Sequence, residues 1–116
     1  MQLPSLTRFA WLSIAAALAT IGCLEAEKLP QRAAALGGRL LTGLRSISSP
    51  LVREVRGLGL MVGVELKAAS GPYLAALAGR GVLALTAGAN VMRFLPPLVI
   101  DESEIDLAVE RVAEVL

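Results

Sequence analysis

Histidine is missing from this 116-residue chain, and cysteine occurs once, at Cys23. A Ser-His-Asp triad, a Cys-His pair and every histidine-containing zinc site are therefore excluded, and a lone cysteine makes no internal disulfide. Most familiar hydrolase chemistry goes with them. An excess of charge is lacking too: eleven Lys and Arg stand against ten Asp and Glu, a formal net charge of +1. Nothing in that balance would hold nucleic acid or an anionic membrane surface. Internal repeats and low-complexity tracts are also absent, and the length leaves room for one hydrophobic core. What the chain does have is apolar material, 55% of residues against 18% charged. That is rich for a soluble domain and far from the composition of disorder. A chain this apolar hides part of itself against a partner or a membrane.

The first third puts the membrane question directly, because Phe9 to Leu24 carries no charge. A secretion signal would take Trp11 to Ile21 as its apolar stretch, and Thr20-Ile21-Gly22-Cys23 loosely resembles a lipoprotein cleavage box. Against that, Thr20 stands where an aliphatic residue is wanted, and Arg8 is the one basic side chain before the apolar run. The run is also short for a membrane span, which needs about 20 apolar residues. Ser13 to Lys28, rich in Ala and closing on Glu25, Glu27 and Lys28, reads instead as a helix buried in a protein interface.

Further on, two periodicities alternate. Pro30 suits the first turn of a helix running to about Ile47, on which Ala33, Leu36, Leu40, Leu44 and Ile47 form one apolar stripe. Ser48-Ser49-Pro50 ends it. Leu51 to Arg56 predicts a short strand, Gly57 to Gly59 a bend, and Leu60 to Leu66 a second strand able to pair as a hairpin. Pro72 to Ala78 predicts a helix. Val82 to Thr86 and Val91 to Leu95 predict two strands joined by Ala87-Gly88-Ala89-Asn90, and Pro96-Pro97 stops the second. Asp101 with Glu104 makes a capping-box-like start for a closing helix whose buried face is Ile105, Ala108, Val109, Val112 and Leu116. The fold class that follows is α/β, an α+β sandwich with helices on one face of a small, mostly antiparallel sheet.

Few residues are candidates for chemistry. Gly57, Gly59 and Gly63 invite comparison with a dinucleotide fingerprint, but the third glycine of that pattern falls on Val62 and the segment continues as a strand. The glycines are better read as permitting a tight bend. Arg93 is more informative because it interrupts an apolar strand, on the face it shares with Val91 and Leu95, while Glu65 shares a face with Gly63. A guanidinium held among apolar neighbours needs an anionic partner. Two accounts stand: an internal ion pair with Glu65, or a two-pronged grip on a substrate carboxylate, for which Arg is better shaped than Lys.

The stretch Arg53-Glu54-Val55-Arg56-Gly57-Leu58-Gly59-Leu60-Met61-Val62-Gly63-Val64-Glu65-Leu66, followed by Val91-Met92-Arg93-Phe94-Leu95-Pro96-Pro97-Leu98-Val99-Ile100, resembles the C-terminal small domain of class III pyridoxal-phosphate aminotransferases. The likeness is to the acetylornithine and ornithine branch, and most of all to the carrier-protein-dependent enzymes of lysine and ornithine synthesis. It covers roughly Leu12 to Leu116, with residues 1–11 as a divergent N-terminal segment. Ala15 to Glu25 resembles the helix after the family's Gly-Asn-Pro-Leu turn. The resemblance implies amino-group exchange between glutamate or 2-oxoglutarate and a semialdehyde such as that of acetylornithine or aminoadipate, in arginine or lysine biosynthesis. It also implies a cytoplasmic enzyme using pyridoxal 5'-phosphate and working as a homodimer. Arg93 matches the family arginine that grips the substrate's α-carboxylate.

The departures are as informative. The family's Schiff-base lysine, the acidic partner of the pyridinium nitrogen and the glycine-rich phosphate cradle belong to a large domain that has no counterpart here. Lys28 and Lys67 are the only lysines and neither sits in matching context; both read as solvated charges. The family's His-x-x-Thr-Phe-Gly-Gly-Asn-Pro turn is replaced by Leu6-Thr7-Arg8-Phe9-Ala10-Trp11, so the phosphate-reaching threonine's role does not pass to Thr7. The expectation is therefore a fragment or subunit that needs a large domain or partner chain, has no catalytic residue, no confident cofactor-binding residue and no metal ligand of its own, binds no cofactor alone and is inactive by itself. No nucleic-acid or membrane partner is expected. The contrasting expectation is a non-enzymatic interaction module, exported and lipid-anchored at Cys23.

Overall fold

The computed structural model describes residues 3–116, with side chains from residue 7 onward. It divides into two compact units, Met1–Pro30 and Gln31–Leu116, where the length alone predicts one. The difference has a simple origin. The described side chains of the first helix are apolar nearly all the way round it, so no single face turns it into a core, and the hydrophobic cluster is built from residues of the second unit.

The first unit is dominated by α1 (Leu3–Ala26), which starts ten residues before the Ser13 that the charge pattern suggests and continues through the uncharged run. Its large side chains lie open in the single chain, with Phe9 67% and Trp11 68% exposed, as the free face of a helix expected in a protein interface would be. The segment Thr7–Ala26 is long and apolar enough to cross a membrane by length and composition. Cys23 is exposed on it. Thr20 donates its hydroxyl hydrogen bond to the Ala16 carbonyl at 2.8 Å, as a helical threonine does. Beyond α1, Lys28 adopts a left-handed backbone (φ 52°), a conformation favoured by glycine, in the turn that breaks the helix.

The second unit packs three helices on one face of a four-stranded sheet. The strands are β1 (Val52–Leu58), β2 (Met61–Leu66), β3 (Leu85–Thr86) and β4 (Val91–Phe94), in the order β1-β2-β4-β3 with every pairing antiparallel. The helices are α2 (Leu29–Arg45), α3 (Gly71–Gly79) and α4 (Glu102–Val115). The stripe read from spacing is the stripe that buries: Leu36, Leu40 and Leu44 of α2 meet Val55, Val62, Val64, Leu66, Met92 and Phe94 from the sheet. Leu77 of α3 and Ile105 and Val112 of α4 complete this core. Fully burying such aliphatic side chains contributes roughly 1.5–3 kcal/mol each, which is what holds so small a sheet to its helices.

Boundaries differ from expectation where backbone geometry overrides pattern. β1 continues through Gly57 to Leu58 and the bend tightens to Gly59-Leu60, because Gly57 is held in the ladder opposite Val62. A Cβ on Gly57 would stand 2.7 Å from the Met61 carbonyl oxygen, and Gly59 carries the positive φ of 57° that the turn needs. The glycines thus serve the hairpin. Strand Val82 to Thr86 shrinks to the two residues of β3, since the Val82 N–H is taken by the Leu77 carbonyl at the end of α3. At α4 the N-cap half of the expected box forms: the Asp101 carboxylate accepts from the Glu104 N–H at 2.9 Å and from the Ser103 hydroxyl at 2.7 Å. Those two hydrogen bonds hold its pKa below the usual carboxylate range.

Candidate functional site

The site is built on the sheet face turned away from the helices. Strand alternation sends Val62, Val64, Met92 and Phe94 into the core, so the intervening residues Met61, Gly63, Glu65, Val91 and Arg93 face outward. On β1 the same alternation buries Val55 and turns Glu54, Arg56 and Leu58 outward, after a bulge between Val52 and Glu54. Register brings these together: Arg56 lies opposite Gly63, and Gly63 lies opposite Arg93, whose other neighbour is Leu85 of β3.

Arg93 is exposed, and among the described residues its side chain makes no hydrogen bond or ion pair. The internal pair with Glu65 is not formed. Among the described residues the ion pair Glu65 makes is with Arg56, at 3.9 Å, and Arg56 is nearer still to Glu54, at 3.1 Å. Arg93 instead lines a groove of about 440 Å³ together with Arg56, Gly57, Met61, Gly63 and Val91. The floor is apolar and the polar groups at its rim are two guanidiniums. Such a concavity suits a small anion with an apolar body.

Several contacts fix the strand that carries Arg93. Before β4, the Asn90 carboxamide donates to the Leu66 carbonyl at 3.1 Å, and the Leu66 N–H returns to the Asn90 carbonyl at 2.7 Å. Ser70 is buried, and its N–H holds the Ala89 carbonyl at 3.0 Å. After β4, Arg32 of α2 donates to the Ile100 carbonyl at 2.7 Å, closing the Pro96-Pro97 segment onto the helix layer. β4 is thus tied at both ends.

Sequence reasoning singled out Arg93 and overlooked Arg56. The signal was available: Arg56 stands in β1 with the same parity as Glu54, opposite a glycine, but judging it needs the β1–β2–β4 register, which spacing does not give. The two lysines are not at the groove. Lys67 is exposed beyond the end of β2 and Lys28 is exposed in the turn after α1. The described residues therefore do not fit pyridoxal phosphate by themselves, for no lysine and no carboxylate converges with a phosphate cradle at this groove. No group of three or more His, Cys, Asp or Glu side chains suited to a metal ion occurs among the described residues.

Around the groove the outward face is unusually bare. Leu58 is 88% and Met61 55% exposed, and Leu85 beside Arg93 is also open. Apolar side chains clustered about a functional groove mark a surface that meets another body.

Comparison with known proteins bears on this arrangement. The sequence profile of the family described as aminotransferase class-III matches residues 11–116. A [LysW]-aminoadipate semialdehyde transaminase of Deinococcus radiodurans is 47% identical over 106 residues, covering 90% of this chain and 25% of that protein. An ornithine aminotransferase of Bacillus subtilis is 42% identical over 105 residues, covering 90% of this chain and 26% of that protein. Among solved structures, a lysine aminotransferase from M. tuberculosis superposes with a TM-score of 0.79 at 33% identity, covering 84% of this chain and 23% of its own. The ornithine δ-aminotransferase of Plasmodium falciparum gives a TM-score of 0.75 at 29% identity, over 79% of this chain and 25% of its own. The chain spans about a quarter of the length of the relatives it matches.

Proposed function

The chain belongs to the class-III aminotransferase family, whose members depend on pyridoxal phosphate, and from that premise we propose that it is the small-domain part of an acetylornithine- or aminoadipate-semialdehyde-type aminotransferase. The complete enzyme would move an amino group between glutamate or 2-oxoglutarate and the semialdehyde, in cytoplasmic arginine or lysine biosynthesis, as a homodimer. In this reading residues 12–116 are the small domain and residues 1–11 a divergent N-terminal segment. The part of the relatives that this chain does not span would supply the cofactor's lysine and its phosphate site. The cofactor provides the electron sink on which amino-group transfer runs.

The observation that carries the reading is Arg93, an arginine without a partner among the described residues, rising from a strand tied at both ends over an apolar groove. Its fork accepts a carboxylate by two parallel N–H···O bonds, stronger than neutral ones. Anchoring one end of the substrate on a fixed strand keeps its reacting carbon where chemistry occurs, and a misplacement of about 1 Å can cost a hundredfold in rate. The bare apolar side chains around the groove would be covered by the large domain.

The chain alone would not transaminate. With cofactor and glutamate added to the purified chain, the cofactor's absorption should stay unchanged, whereas mixing the chain with the remaining portion of the Deinococcus relative should yield transaminase activity. A cofactor band shifting with the chain alone would contradict the reading.

A second reading rests on α1: an exported interaction module anchored through Cys23, favoured by a 20-residue exposed apolar helix. The family match, which runs through α1, supports the first. The mass of the mature protein separates them, since the cleavage before Cys23 that goes with lipid anchoring there would remove most of α1.

A further inference from the structure

Because α1 begins at Leu3 and not at Ser13, Arg8 and Trp11 belong to the same helix as Gly22 and Glu25. Arg8, Trp11, Ala15, Leu18, Gly22 and Glu25 follow one another at alternating steps of three and four, which places all six on one stripe. The stripe is about 26 Å long at 1.5 Å per residue. It is open throughout: Leu18 is 66% exposed, much like Trp11, the other four are exposed too, and a Cβ built on Gly22 meets nothing within 4 Å. Its two charges are unused. Among the described residues, neither Arg8 nor Glu25 makes an ion pair or a side-chain hydrogen bond.

The order of sizes and charges along this stripe is its own complement when reversed. Laid antiparallel against a second copy, with the two-fold axis passing between Ala16 and Ala17, Trp11 meets the second copy's Gly22, Leu18 its Ala15, and Arg8 its Glu25. Each large side chain falls on a small one and each charge on its opposite, twice over. A closed two-fold interface demands that one patch fit itself in this way. The small residues let the helices approach closely, and the steps of three and four keep the seam facing the partner along its whole length. Leu12, Ile14 and Ile21, each at least half exposed, border the seam and are covered with it. Parallel pairing would instead set Arg8 on Arg8 and Trp11 on Trp11. A bilayer also accepts an apolar helix of 20 residues, but it responds to composition, and this ordering of side chains serves no purpose there.

We propose that α1 is a self-association face: two copies of this chain pair through antiparallel α1 helices, with Trp11 seated over Gly22 and an Arg8 to Glu25 ion pair at each end. The pairing uses neither Arg93 nor its groove, so it stands or falls apart from the aminotransferase reading.

Analytical ultracentrifugation of the full chain should show a dimer. Arg8→Glu alone, or Glu25→Arg alone, sets like charges together at both ends and should weaken the dimer about tenfold or more, since two exposed contacts change sign. Mixing the two single variants in equal amounts should restore it, because every facing pair is then opposite again. The double variant should dimerise like the unmodified chain. Gly22→Ile adds apolar surface but fills the space Trp11 takes, and should weaken the dimer. Cys23 is exposed and faces Ala10 of the second copy, so spin labels on the two cysteines should lie about 20 Å or more apart, whereas parallel helices would bring them within about 10 Å.

A chain that is monomeric at every concentration overturns the proposal. So does a dimer indifferent to both charge reversals, or one that Gly22→Ile strengthens, as adhesion without register would be. Transfer of the unmodified chain onto phosphatidylcholine vesicles at the expense of the dimer would assign α1 to a membrane instead. Far-ultraviolet circular dichroism checks that each variant keeps its helix, and recovery in the mixture of single variants separates lost pairing from lost folding.

Discussion

Gly63 lies directly opposite Arg93 in the β2–β4 ladder, and the space above it is empty up to Val91 Cγ1, 3.5 Å from where its Cβ would be. The missing side chain keeps the groove beside the guanidinium open. Gly63→Ala therefore fits at ordinary van der Waals distance and should change stability by less than about 1 kcal/mol, with the sign favouring the alanine. Gly63→Phe should fold as well yet fill the groove. Thermal unfolding by circular dichroism together with glutamate titration checks the pair. A groove that still binds glutamate beside a phenylalanine would show that the anion sits elsewhere.

Two adjacent glycines of α2 should behave in opposite ways. A Cβ on Gly37 would collide with the Gly59 carbonyl, and would stand 2.9 Å from the Gly59 Cα, whereas Gly38 has nothing within 4 Å. Gly37→Ala forces helix and hairpin apart and should cost roughly 3 kcal/mol or more, in the range of overpacking against rigid backbone. Gly38→Ala gains helix propensity and should stabilise by about 0.5–1 kcal/mol. Urea unfolding of both variants reads the difference.

The Arg39–Asp106 bridge between α2 and α4 gives an acid-dependent term. Arg39 donates two hydrogen bonds to the Asp106 carboxylate, at 2.8 and 2.7 Å, with Glu102 3.6 Å away. Hydrogen bonding to Arg39, and then its charge, hold the Asp106 pKa below the ordinary value of 3.8. A carboxyl whose pKa is lower in the folded than in the unfolded chain contributes stability above the unfolded value and loses it as pH falls through the folded one. Asp106→Asn should therefore lower the melting temperature slightly near neutral pH and flatten its fall below about pH 4. Both groups are exposed, so the contrast should shrink in high salt.

Much of this was legible in the chain. The α2 stripe, the β1–β2 hairpin, the β4 strand ended by two prolines, and the Asp101 cap all follow from local rules, and each appears as expected. What was not legible depends on who lies beside whom. Composition makes α1 a helix for a protein interface, and what covers its open apolar side chains is a matter of partners, which composition alone does not give. Alternation places Arg93 and Glu65 on one face and allows an ion pair between them. Register then sets Gly63 opposite Arg93 and leaves Glu65 to Arg56. Arg56 was overlooked for the same reason, since its relation to Arg93 exists only once three strands are aligned.

The central claim is that the Arg93 guanidinium holds the substrate's carboxylate, and kcat/KM for glutamate in the reconstituted two-chain enzyme tests it most directly. Arg93→Gln should lower that value by about a hundredfold or more, and Arg93→Lys, which keeps the charge but loses the fork, by less. The cofactor's own absorption should be unaltered in both. An Arg93→Gln enzyme that uses glutamate as efficiently as the unmodified one would contradict the account.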